Sequence, residues 1–167
     1  SFDVDPVWTR NDRKGGGRYD GAVALALDAE DGERIATVLN FASHPEALWE
    51  KNRLVSAEHP GYFRQKMRKM RPGTPLYFSG PLGGMLTPNV PEGSDDATRQ
   101  AYIRDLGHHL AEVTDAALAE AVAVEDAPLA HTSAPLLLSN RNWRFSLLRR
   151  LNLIQADLAD GKAHTEV

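Results

Sequence analysis

The chain contains no cysteine, which excludes a disulfide framework, a thiolate nucleophile and any metal site built on sulfur. It has no run of about 18 apolar residues, so no segment is coded to cross a membrane as a helix. Neither sign of charge dominates. Nineteen basic and 23 acidic residues leave a formal charge of -4, spread along the chain. That balance offers little to the phosphates of nucleic acid or to an anionic bilayer. Absent too are the GxxxxGK[ST] phosphate loop, the GxSxG nucleophile elbow and the HxH and HExxH spacings of zinc sites. The opening stretch, SFDVDPVWTRNDRKGGG, has no apolar region of the kind a signal peptide needs, and it reads as the interior of a longer protein.

What is present suits a globular fold. The 167 residues are 42% apolar and 25% charged, enough to bury a core as one domain or as part of a larger one. We read residues 1–167 as a single segment of such a domain. The stretch GAVALALDAEDGERIATVLNF predicts a hairpin: Val23, Leu25 and Leu27 alternate, Asp31-Gly32 makes the turn, and Ile35 to Phe41 returns. The second strand is apolar or small on both sides, as a strand covered on both faces would be. Ser56 is placed to cap a helix with Glu58 and Pro60 in its first turn, running to about Met70, where Pro72-Gly73 stops it. TPLYFSG reads as a strand, and GPLGGMLTPNVPEGS as a loop rich in glycine and proline. A long helix is expected from about Asp95 to Val124, with Tyr102, Leu106, Leu110, Val113, Ala117 and Ala121 as its apolar stripe. PLAHTSAPLLL suggests another strand and NWRFSLLRRLNLI a basic amphipathic helix. The alternation of strand and helix implies an α/β class, a mixed sheet with flanking helices.

One consequence bears on function. If Ile35–Phe41 and Pro75–Ser79 are parallel neighbours bridged by a helix, they form a crossover unit. The loops starting at His44 and Gly80 then leave the same carboxyl edge, where open α/β sheets collect ligands. His44 stands at the end of its strand, locked by Pro45. A histidine there is a metal ligand, an acid–base group, or simply a turn or packing residue. Gly83-Gly84 allows close backbone approach with amide N–H groups turned inward, or makes a tight surface turn. Thr87 adds a hydroxyl held by Pro88. His108 and His109 lie on the long helix, where adjacent residues do not share a face, and a structural role suits them. His59 suits aromatic packing, and His131 and His164 have no partner in the pattern.

Three stretches, ATVLNFASHPEAL, NRLVSAEHPGYFRQKM and PLYFSGPLGGMLTPNV, resemble in order and spacing the catalytic domain of the neutral ceramidase family. The likeness is dense between residues 34 and 89 and thin through the long helix and the NRNWRFSLL…HTEV tail. It implies a zinc-dependent amidohydrolase that cleaves the N-acyl bond of ceramide to sphingosine and a fatty acid. By that likeness His44 matches one of two histidine zinc ligands. The other is expected upstream, and a glutamate and a tyrosine downstream, so the chain is a segment whose partner is the remainder of the catalytic domain. The family's loop ends in Ser-Pro, with the serine acting at the scissile amide; here Thr87 holds that place and Met85-Leu86 precede it. Glu58 stands where the family often has aspartate, and Arg13 matches an arginine that approaches the substrate. The resemblance further implies a lipid amide substrate, an extracellular or periplasmic setting and peripheral contact with membrane.

Those residues suit amide hydrolysis, which needs a polarised carbonyl, an activated water and a stabilised oxyanion. The Gly83 and Gly84 N–H groups and the Thr87 hydroxyl are the candidate oxyanion donors. Two other readings stand beside this one: a homologue with the fold but no catalysis, and an interaction domain in which His44 merely packs.

Overall fold

In chain order the elements are β1 (Phe2–Asp3), a 3-10 turn (Pro6–Trp8), β2 (Thr9–Asn11), β3 (Gly21–Asp28), β4 (Arg34–Phe41), α1 (Glu58–Met70), β5 (Thr74–Ser79), β6 (Leu86–Pro88) and α2 (Asp96–Ala119), then β7 (Gln155–Asp157) and β8 (His164–Glu166). The computed structural model describes residues 1–13, 15–49, 52–83, 85–124, 130–135, 147, 150, 155–157 and 164–166. The chain divides into two units, Ser1–Ala123 and Val124–Val167. In the second, β7 and β8 pair antiparallel.

A mixed sheet with strand order β1-β3-β4-β5 forms the centre of the first unit, and β2 pairs with β6 in a separate ribbon. The hairpin is as the alternation predicts. Ala22 faces Phe41 at one end and Asp28 faces Arg34 at the other. Gly32 takes φ +84 in the turn, a conformation that costs glycine nothing. β4 and β5 are parallel from Ala36↔Thr74 to Phe41↔Ser79, with α1 as the connection between them. The α/β class with a mixed sheet and flanking helices is therefore what the chain adopts.

Both helices cover the same face of the sheet. Directly paired residues share a face, and Ala22, Leu39 and Phe41 pack with Phe63 and Met67 of α1 and Leu106, Leu110 and Ala111 of α2. Burying Phe63 or Met67 fully is worth roughly 1.5–3 kcal/mol each. α1 and α2 approach closely at Gly107, where a Cβ would lie 2.6 Å from the carbonyl oxygen of His59. The opposite face differs from expectation. β4 is covered on one side only, and Val23, Leu25 and Leu27 of β3 stand exposed, as does Phe78 of β5 across β4 from them. β3 turns its small residues to the helices and its large ones away.

Three further expectations change. Ala57, with no side-chain bond, occupies the cap of α1; the Ser56 hydroxyl instead accepts the N–H of Glu58 at 3.1 Å. α2 ends at Ala119, and its buried side is Ile103, Leu106, Gly107, Leu110, Ala111 and Thr114, one step around from the stripe read off the sequence. Asp95 caps it, its carboxylate accepting the N–H of Thr98 at 2.8 Å. Residues 130–135, the described part of PLAHTSAPLLL, are exposed and form no strand. The basic helix at 142–154 falls outside the described residues except for Leu147 and Arg150, both helical.

Candidate functional site

The carboxyl ends of β4 and β5 meet, and the two loops that the sequence singles out both start there. The Gly80 N–H donates to the Phe41 carbonyl at 2.9 Å, so the chains leave the sheet side by side. Three residues beyond Phe41 comes His44. Its backbone N–H donates to the Leu86 carbonyl at 2.8 Å, which joins it to β6 one residue before Thr87. His44 Nε2 lies 3.1 Å from the Leu82 carbonyl oxygen. A carbonyl can only accept, so Nε2 carries the proton, and in the neutral ring Nδ1 keeps its lone pair. His44 is half-buried. An imidazole fixed through one nitrogen by a carbonyl, with the other nitrogen free, is the arrangement in which histidines ligate metals.

Thr87 is 2% exposed and faces Arg10 across the β2–β6 ribbon. Its hydroxyl makes no hydrogen bond among the described residues. Gly83 is exposed, a Cβ there would meet nothing within 4 Å, and its N–H is not taken up among the described residues. Gly84 lies outside the described residues. Arg13 follows β2 in an exposed turn, its N–H donating to the Asn11 side chain at 2.8 Å. The preceding residue, Asp12, donates to the Met85 carbonyl at 3.1 Å. The structure thus gathers His44, Gly83 and Thr87 on one loop-and-ribbon assembly and sets Arg13 at its rim.

Sequence reasoning missed Arg10, which shares the face of Thr87 and is held by Asp12 at 2.7 Å and by the Val90 carbonyl at 2.8 Å. It also missed how the turn after His44 is fixed. The buried Glu58 carboxylate accepts the N–H groups of Ala47 at 2.7 Å and Leu48 at 3.1 Å. From the other side, Arg99 donates to the Ala47 carbonyl at 2.8 Å. Glu58 has φ 44, a strained conformation for a side-chain-bearing residue, costing about 1–3 kcal/mol and sustained by these bonds. Burial pushes the Glu58 carboxyl up from its ordinary value, the two backbone bonds pull it down, and burial prevails.

Three other histidines pack against aromatic rings. His59 is fully buried against Tyr77, as aromatic packing predicts, with rings edge to face. Burial holds its pKa down at about 3. His109 stacks on Trp8 and His108 meets Tyr62 edge-on.

Of its two ring nitrogens, His44 commits Nε2 to the Leu82 carbonyl and leaves Nδ1 without a partner among the described residues. Among the described residues no three His, Asp or Glu side chains gather to hold a metal, so a complete site needs ligands beyond them.

The chain superposes on the neutral ceramidase from Pseudomonas aeruginosa with a TM-score of 0.51 over 59% of its length, at 17% sequence identity. The superposed part spans 17% of that chain. At this identity the likeness is one of fold, and the fold is ceramidase-like. No protein-family model matches the chain, and no curated protein does.

Proposed function

We propose that the chain is a segment of a zinc-dependent amidohydrolase that cleaves the N-acyl bond of ceramide or a related lipid amide. The observation that carries this reading is the state of His44. Its Nε2–H is committed to the Leu82 carbonyl and its Nδ1 faces no partner among the described residues, at the sheet edge shared with the Gly83 loop and Thr87. The ceramidase-like fold supports it.

On this reading His44 supplies one ligand, and the remainder of the catalytic domain supplies the others. The bound zinc contributes Lewis acidity and lowers the pKa of water to about 7. The chain's own part is positional. The Gly83 N–H, and that of Gly84, donate to the oxygen on which charge develops. The Thr87 hydroxyl donates to, or attacks at, the scissile amide. Arg13 at the rim orients the substrate. The substrate would be met in a secreted or periplasmic setting, by peripheral contact with membrane.

A second reading has one observation in its favour. Thr87 is buried and carries a methyl group that restricts its rotamer, which suits a homologue that keeps the fold without catalysis. The intact protein decides. Metal analysis and hydrolysis of a fluorogenic N-acyl sphingoid substrate are expected to show zinc and turnover in the wild type and loss of both in His44→Ala. Zinc retained at full stoichiometry in His44→Ala removes that residue from the metal site. A zinc-free, inactive wild type overturns the hydrolase.

A further inference from the structure

Behind the site a polar chain, fully buried at His59 and partly buried at Tyr77, runs from α1 to the strand ends. His59 on α1 is fully buried, and its Nε2 lies 3.2 Å from the Tyr77 hydroxyl on β5. That hydroxyl donates to the Phe41 carbonyl at 3.2 Å, so it accepts from His59, whose Nε2 must carry the proton. Burial keeps His59 neutral and raises the Tyr77 phenol well above its ordinary range, so both remain able to play these parts at neutral pH. The Phe41 carbonyl in turn also receives the Gly80 N–H at 2.9 Å.

The chain therefore ends on the two residues from which the functional loops depart. Following one loop from Phe41 leads to His44; following the other from Gly80 leads to Leu82, whose carbonyl receives the His44 ring at 3.1 Å. Packing alone does not call for this arrangement. An apolar side chain of similar size would fill the space of His59 without desolvating a ring nitrogen, and His59 Nδ1 is buried with no partner among the described residues. What histidine adds is the bond to Tyr77.

We propose that Tyr77 and His59 are positioning residues for His44. They fix the spacing of the two strand ends and hence the Leu82 carbonyl that sets the tautomer and aim of the His44 imidazole. The role of the His44 lone pair rests on the reading above; the coupling itself does not.

The test uses the full chain with 15N-labelled histidine, without metal and then titrated with zinc chloride in the intact protein. Wild type is expected to show His44 as a single Nε2–H tautomer. Tyr77→Phe, which removes only the hydroxyl, and His59→Leu are expected to give mixed tautomers. His59→Gln, which keeps an N–H donor, should restore the single form. Where wild type binds zinc, Tyr77→Phe should weaken it on the order of 10–100-fold, as loss of outer support does. A single His44 tautomer retained in Tyr77→Phe, with only the melting temperature lowered, overturns the proposal and leaves a core hydrogen bond. Should Tyr77→Phe fail to fold, His59→Leu against His59→Gln decides on the same spectrum. Failure of wild type to bind zinc counts against the hydrolase reading alone, since the tautomer comparison is made without metal.

Discussion

The Glu58 carboxylate receives the Ala47 N–H at 2.7 Å, tying the first residue of α1 to the turn that follows His44. Leu48 donates to the other carboxylate oxygen at 3.1 Å. Glu58→Ala strands both buried donors, each at about 1–3 kcal/mol, and removes what sustains the strained φ. Glu58→Gln keeps one acceptor oxygen. Urea denaturation should rank wild type above Glu58→Gln, and Glu58→Ala lowest. Equal midpoints for all three would mean that water replaces the carboxylate without loss.

His59 makes stability depend on pH in a definite direction. Its pKa is about 3 in the folded chain against an ordinary 6.5, so between those values the unfolded chain binds the extra proton. Stability from this group is complete above pH 6.5 and is lost as pH falls toward 3. Glu58 works the other way. Its folded pKa is raised from 4.5, so protonation favours the folded state and its contribution falls as pH climbs through the window above 4.5. The His59 shift is the larger of the two, so unfolding free energies measured from pH 7 to 4 should decline in wild type. The decline should flatten in His59→Gln, which cannot take up that proton, whatever its absolute stability. An unchanged slope would place the acid sensitivity elsewhere.

The two faces of the sheet give the next prediction. Leu39 is fully buried beneath the helices, whereas Leu25 is 52% exposed on the other side. Leu39→Ala should cost about 2–5 kcal/mol. Leu25→Thr, a β-branched residue on an exposed strand, should stay within about 0.5 kcal/mol of wild type. Thermal melts of the two variants check the pair; a Leu25→Thr loss as large as that of Leu39→Ala would mean that the face is covered.

These faces also mark how far the residues alone could be read. The period-2 pattern and Asp31-Gly32 gave the hairpin, and the run from Ile35 through a helix to Ser79 gave the parallel pair, because both signals are local. Which side of β3 lies inward is not local. Alternation separates Val23, Leu25 and Leu27 from Ala22, Ala24 and Ala26 but does not say which set meets a helix, and here close helix packing selects the alanines. The stripe of α2 was misplaced for the same reason: Gly107 and Ala111 are buried for their smallness, which a count of large apolar residues overlooks. The place of His44 at the shared sheet edge was legible, since it follows from the parallel pair. The Glu58–Ala47 and His59–Tyr77 bonds were not, since a bond between distant residues leaves no periodic trace.

Thr87 separates the hydrolase from its silent counterpart. Thr87→Val is nearly isosteric and removes only the hydroxyl. At a position 2% exposed with no hydroxyl bond among the described residues, it should leave the melting temperature unchanged or raise it slightly. If the hydroxyl acts at the amide, the same change should lower kcat by about 10²–10³-fold, the loss seen when one oxyanion donor is removed. Thr87→Ser keeps the hydroxyl and frees its rotamer, so it should hold or raise kcat. Together these variants part catalysis from packing: Thr87→Val inactive but stable, with Thr87→Ser active, assigns the hydroxyl to the reaction. Equal turnover in Thr87→Val and wild type would leave Thr87 as a strand residue, with the amide oxygen stabilised by the Gly83 loop alone.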